Sequence, residues 1–269
     1  FFFGFFWPMF GCYNIALHCE GGCGCDAQPS NLLKPLASNS LVDDFSSLAQ
    51  KLKSSASSFM ANCPNGVASI MVANTIVFGL WRVPRLQQPL FAQLTCSWNG
   101  CARGKLWTLV TANYSHSNGL HFGFNMLTLG VLGPTVERIL GTDEFLKAYT
   151  LGGVVSSVGF LLHQRCRGYH NACVLGASGC IMSIWAIYAR LFPDTQILLY
   201  GVLPVSAQEA LLLFICLDFI GMTSGLGLIG WAAHLSGVGF GVAYYEMYLK
   251  QRLQERSSML RRIKKRWWS

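Results

Sequence analysis

Apolar runs broken by short polar turns dominate the chain from residue 67 onward. They fall at 67–81, 108–140, 145–162, 174–192, 197–222 and 226–249, with Pro204 interrupting the fifth. An α-helix that crosses a bilayer needs about 20 apolar residues. The runs therefore read as six core spans, several of them shortened by Gly, Pro or polar residues. Broken spans are tolerated in lipid only where the backbone is buried in protein or lines a polar cavity. The core is thus expected to hold such a cavity.

Before the core, residues 1–19 are apolar and aromatic and read as one further transmembrane helix, truncated at its start. No basic segment precedes them, which argues against a signal peptide. Residues 20–66 are polar and rich in Ser, Asn and Gly, a linker with a short helix expected around 43–53. The mixed loop 82–106 suits a segment lying partly in the membrane interface. Residues 250–269 form a basic tail. The predicted fold is all-α and polytopic, a six-helix core with one extra N-terminal transmembrane helix, in a 1+6 arrangement.

Composition agrees with a membrane chain. Of 269 residues, 52% are hydrophobic and 12% charged, against about 25% charged in soluble domains. The net charge of +8 is concentrated after Tyr248, in Lys250, Arg252, Arg256, Arg261, Arg262, Lys264, Lys265 and Arg266. Followed by Trp267 and Trp268, this tail fits an anchor against the lipid bilayer. Nucleic acid is disfavoured, because nothing else in the chain resembles a recognition module. Cys19, Cys23 and Cys25 lack a trusted metal-ligand spacing, and no metal or cofactor is expected. Cys96 and Cys101 either pair across a loop or stay as free thiols.

The chemistry converges on Gly176-Ala177-Ser178-Gly179, a bare hydroxyl between glycines at the head of an apolar run. A serine hydroxyl is a weak nucleophile until a base adjoins it. His234 is the candidate base, in Ala233-His234-Leu235-Ser236-Gly237. Gly237 and Gly241 form a small-x3-small face that lets a neighbouring helix approach closely. His234, three residues before Gly237, lies on nearly the same face. His121 and Asn125, four apart, share a helix face. Read alone, they serve equally well as helix–helix hydrogen-bonding groups. Glu137 and Arg138, bracketed by Gly133 and Gly141, read as structural ties near an interface. Asp218, in the fifth core run, reads as a buried interhelical hydrogen bond, with a supporting part behind the candidate base as the alternative.

Together these residues resemble the rhomboid family of intramembrane serine proteases. The pattern is His121-x3-Asn125-Met126, Leu129, Gly133-x3-Glu137-x3-Gly141, Gly176-Ala177-Ser178-Gly179 and Ala233-His234-x2-Gly237-x3-Gly241, with Trp81-Arg82 matching the Trp-Arg pair of the family's first loop. The resemblance covers roughly residues 67–249. The extra N-terminal span, Leu80-Trp81-Arg82-Val83-Pro84 and Leu175-Gly176-Ala177-Ser178-Gly179 are most similar to the mitochondrial, presenilin-associated branch. The resemblance implies a Ser–His dyad with no Asp orienter: Ser178 as nucleophile and His234 as general base. Asn125, His121 and the Ser178 backbone N–H would hold the oxyanion. It implies transmembrane protein substrates and a mitochondrial inner-membrane location. Met182 stands where many members carry an aromatic residue stacked on the histidine. A rhomboid-like protein without activity that binds membrane clients is the alternative, and such relatives usually lose the serine or the histidine. A transporter would show two repeat-related sets of polar residues, which are not seen. The basic tail favours a matrix-side C-terminus, whereas the presenilin-associated branch implies the intermembrane space.

Overall fold

The computed structural model describes residues 63–116, 118–199, 203–224 and 230–267, with Ser47, Gln50 and Ser54 before them. The expected span at 1–19 and nearly all of the expected linker lie outside these residues. The chain divides into two compact units, and the one containing Pro64–Ser269 carries every candidate site residue.

This unit is mostly helical. Helix α1 (Asn65–Leu80) leads through a 3-10 turn (Pro84–Leu86) into α2 (Gln87–Leu94), bent 103° from it. The loop 82–106, expected at the interface, also holds strand β1 (Cys96–Ser97) and the single-turn helix α3 (Trp98–Ala102). The run 108–140 is not one helix. It splits into α4 (Thr108–Thr111), a 3-10 turn (Ala112–Tyr114) and α5 (Gly119–Leu140). Asn118 starts α5 by accepting the Leu120 N–H at 2.8 Å, a side-chain cap that satisfies one of the orphan donors of a helix end.

Helix α6 (Thr142–Cys166) follows, then β2 (Cys173–Val174), which pairs antiparallel with β1. Helix α7 (Ser178–Leu191) begins at the candidate serine. The run 197–222, expected to be one span, opens instead as a hairpin, β3 (Gln196–Leu199) with β4 (Leu203–Ser206). Pro204 cannot donate a helical hydrogen bond, and only after Ser206 does α8 (Ala207–Ser224) form. Helix α9 (Trp231–Tyr244) passes through a π-helical turn (Tyr245–Leu249) into α10 (Lys250–Trp267), so the basic tail is helical.

The middle turns of α6 differ from those of a water-soluble helix, although Phe160 and Leu161 beside them are buried. Leu151, Val155, Val158 and Leu162 point outward, while Gly152, Gly153, Ser156 and Ser157 are buried. Small and weakly polar residues inside with apolar residues outside is the arrangement of helices packed in lipid. By length and composition, α6 and α8 each suffice to cross a membrane, and the bent α1–α2 pair makes a third candidate. Among the described residues the count of six core spans is not reproduced by that criterion: α7 and α9 have only 14 residues each, and α5, with 22, does not pass it either.

Packing centres on α7, buried on nearly every side from Ser178 to Ala189. A Cβ added to Gly237 would collide with the Gly179 carbonyl, and one on Gly241 with the Ser183 carbonyl. The two glycines therefore let α9 lie backbone to backbone on α7. Elsewhere, Glu137 is buried near the C-terminus of α5 and accepts the N–H groups of Gly66 at 2.8 Å and Val67 at 2.7 Å. It also accepts the Thr142 hydroxyl at 2.8 Å. The carboxylate thus satisfies orphan donors at the start of α1, where negative charge is favoured by the helix dipole.

Candidate active site

The glycine seam carries Ser178 and His234 to each other. The His234 Nε2 to Ser178 Oγ distance is 2.9 Å, with both side chains buried. On the other side of the ring, His234 Nδ1 lies 3.2 Å from Asp218 Oδ1 on α8. One tautomer serves both bonds: Nδ1–H donates to Asp218, and Nε2 accepts the Ser178 O–H. The structure thus sets a carboxylate beside the histidine, where the resemblance implied a dyad with no Asp orienter. Asp218 does make an interhelical hydrogen bond, as read from the sequence, but its partner is the histidine. A lone carboxylate inside an apolar segment is costly, and that cost is the signal available in the sequence. What no local pattern supplies is the pairing itself, between two separate helices.

The backbone around Ser178 is shaped by its neighbours. Gly176 has φ +127°, a conformation that residues with a Cβ rarely adopt, and a Cβ there would lie 2.5 Å from His121 Cε1. The turn thus presses its backbone against the His121 ring. Gly176 N–H donates to the Ala112 carbonyl at 2.9 Å, and Ala177 N–H donates to His116 Nε2 at 3.3 Å. His116 also packs edge-on against His121, centroids 5.0 Å apart. Its part in holding the turn had no signal beyond its adjacency to Ser115. Because Ser178 is the first residue of α7, its N–H and those just after it belong to the open end of the helix.

Gly179 serves the opposite wall. A Cβ there would collide with Ser156 Oγ, and that hydroxyl donates to the Ala233 carbonyl at 2.8 Å. The peptide preceding His234 is thereby tied to α6. Met182 is buried on α7.

His121 and Asn125 lie on α5 beside this turn and are both buried. Asn125 Nδ2 donates to the His121 carbonyl one turn back, at 2.8 Å. Among the described residues, His121 Nε2 and Asn125 Oδ1 have no hydrogen-bond partner. Buried polar atoms are usually satisfied, so these two are open to a group that enters the site. Trp81 Nε1–H donates to Ser115 Oγ at 2.7 Å, and the Arg82 guanidinium lies 4.3 Å from the Phe78 ring. This fastens the start of the first loop to the segment that carries His116.

The Rhomboid domain family model matches residues 103–251. The chain belongs to the rhomboid family. It is 33% identical over 180 residues to zebrafish "Presenilin-associated rhomboid-like protein A, mitochondrial", covering 66% of this chain and 46% of that protein. It is 32% identical over 180 residues to the mouse "Presenilin-associated rhomboid-like protein, mitochondrial", covering 66% of this chain and 47% of that protein. Against "Rhomboid protein 1, mitochondrial" of Saccharomyces cerevisiae it is 30% identical over 193 residues, or 69% and 54% of the two chains. The matched part spans about half the length of these curated relatives. With its apolar outward-facing helices, this rhomboid is an integral membrane protein of mitochondria.

Proposed function

We propose that this rhomboid is an intramembrane serine endopeptidase that hydrolyses peptide bonds in transmembrane segments of other membrane proteins. The observation that carries the reading is the 2.9 Å contact between Ser178 Oγ and His234 Nε2. Ser178 attacks the scissile carbonyl while His234 takes its proton, then returns it to the leaving amine. Asp218 holds the imidazole in the accepting tautomer and balances the imidazolium that forms. The Ser178 N–H, at the positive end of α7, and the side chains of His121 and Asn125 stabilise the oxyanion. Asn125 exchanges its bond to the His121 carbonyl for one to the oxyanion as substrate enters.

Three further assignments belong to this reading: a 1+6 span arrangement with the core at 67–249, a basic helix lying on the bilayer, and residence in the inner membrane. Retention of both Ser178 and His234 favours the enzyme over a client-binding protein without activity.

The test uses the purified chain in lipid nanodiscs with a transmembrane model substrate. Ser178→Ala is expected to abolish cleavage without changing thermal stability, and a fluorophosphonate probe is expected to label wild type and not the variant. Cleavage by the Ser178→Ala protein would overturn the assignment.

A further inference from the structure

Proteolysis at Ser178 leaves unused a group of cysteines in the loop 82–106 and on the strand paired with it. Cys96, on β1, is fully buried, and Cys101, at the end of α3, is half-buried. Their Sγ atoms lie 3.8 Å apart. The turn between them is held by Ser97 Oγ, which accepts the Gly100 N–H at 3.1 Å. Disulfide sulfurs sit about 2.05 Å apart, so bonding asks for an approach of about 1.8 Å, within reach of small side-chain rotations. Cys173 is the competing thiol: it stands opposite Ser97 across the β1–β2 ladder.

The surroundings connect this pair to the site. Cys96 packs in one apolar cluster with Phe160, Val174 and Ala233, and Cys101 packs against that cluster. Ala233 precedes His234. Val174 ends the strand that continues through Leu175, Gly176 and Ala177 to Ser178. The loop is also tied to the same segment by Asn99, whose Nδ2 donates to Asn171 Oδ1 at 2.6 Å.

We propose that Cys96 and Cys101 are a thiol–disulfide modification site, oxidised by a small-molecule disulfide of the glutathione class. The more accessible Cys101, as thiolate, attacks one sulfur of the small disulfide and expels its other half as a thiolate. Cys96 then gives its proton to water and attacks the Cys101 sulfur, expelling the second small thiolate. Two protein thiols become one disulfide, and one small disulfide becomes two thiols. Burial pushes the Cys96 thiol up to about 12, which keeps its thiolate fraction low and slows the closing step further in acid. The crosslink closes a short loop and pins the α3 turn to the strand pair that leads to Ser178.

The test needs no assumption about the role of Ser178. The reduced full chain in nanodiscs is equilibrated with mixtures of reduced and oxidised glutathione, quenched in acid, alkylated, digested and weighed. A Cys96–Cys101 crosslinked peptide is expected to grow with the oxidised fraction and to revert to two alkylated cysteines after dithiothreitol. Cys173→Ser should retain it. Cys101→Ser, at a half-buried position that tolerates the change, should leave Cys96 alkylated only after unfolding. Persistence of both thiols at every ratio in the folded wild type, or a crosslink from Cys96 to Cys173, would overturn the proposal.

Discussion

Replacing Asp218 by Asn tests whether the acid acts through His234 or only joins two helices. The substitution keeps size and shape at a side chain 4% exposed, facing an imidazole that is 1% exposed. In the resting state it exchanges one hydrogen bond for another of similar length, so folding should change little. The difference appears when His234 takes the Ser178 proton. A unit positive charge then sits 3.2 Å from a carboxylate, an attraction of about 5 kcal/mol at an effective dielectric constant near 20. Asn retains only a dipole there. It can also donate its own N–H to Nδ1, which places the imidazole proton on Nε2, where it can no longer accept from Ser178. A net loss of about 2–4 kcal/mol in the transition state corresponds to roughly 30- to 1,000-fold in turnover. Steady-state cleavage in nanodiscs should show this as a fall in kcat with KM unchanged, because Asp218 does not touch substrate. Thermal unfolding should stay within a degree or two of wild type. An Asp218→Asn enzyme with kcat within threefold of wild type would refute the reasoning and return Asp218 to a purely structural part.

Three other perturbations probe the frame. Gly237→Ala drives a methyl into the Gly179 carbonyl, a backbone atom that cannot rotate away; overpacking of this kind costs about 1–3 kcal/mol, and both thermal stability and Ser178 labelling by the probe should fall together. Glu137→Ala strands the Gly66 and Val67 N–H groups at about 1–3 kcal/mol for each unsatisfied donor, so its melting temperature should drop well below that of Glu137→Gln, which keeps one acceptor. Trp81→Phe removes the 2.7 Å bond to Ser115, worth about 1 kcal/mol, and a midpoint equal to wild type would show that bond to be dispensable.

The reach of the sequence can be judged from particular residues. The small-x3-small face of Gly237 and Gly241 is a local pattern with one physical use, close helix approach, and it points His234 into a tight seam. His121 and Asn125 are legible as a shared face because four residues make about one helical turn. The hairpin from Gln196 to Ser206 is hidden because a continuous apolar run has no period that separates strand from helix. Pro204 is the clue, yet within that run it reads equally as an interruption of a span. Asp218 is visible as an anomaly, but its partner depends on how α8 leans on α9, which no local spacing encodes. His116 is hidden for the same reason: the peptide it accepts from lies 61 residues away.

The two glycines that flank Ser178 divide the labour around it. Gly176 is required by the backbone, since its φ of +127° and its contact with His121 leave no room for a Cβ. Gly179 is required by packing, since Ser156 occupies the space a side chain would fill. The first glycine sets Ser178 against the α5 residues that would receive an oxyanion. The second sets it against the α6 hydroxyl that holds the peptide before His234. A serine at this point must meet a base on one side and hydrogen-bond donors on the other, inside a membrane where each unsatisfied polar group costs several kcal/mol. Small residues on both sides are what allow α5, α6 and α9 to close around it, and the acid on α8 completes the set by giving the buried imidazole a partner for its second nitrogen.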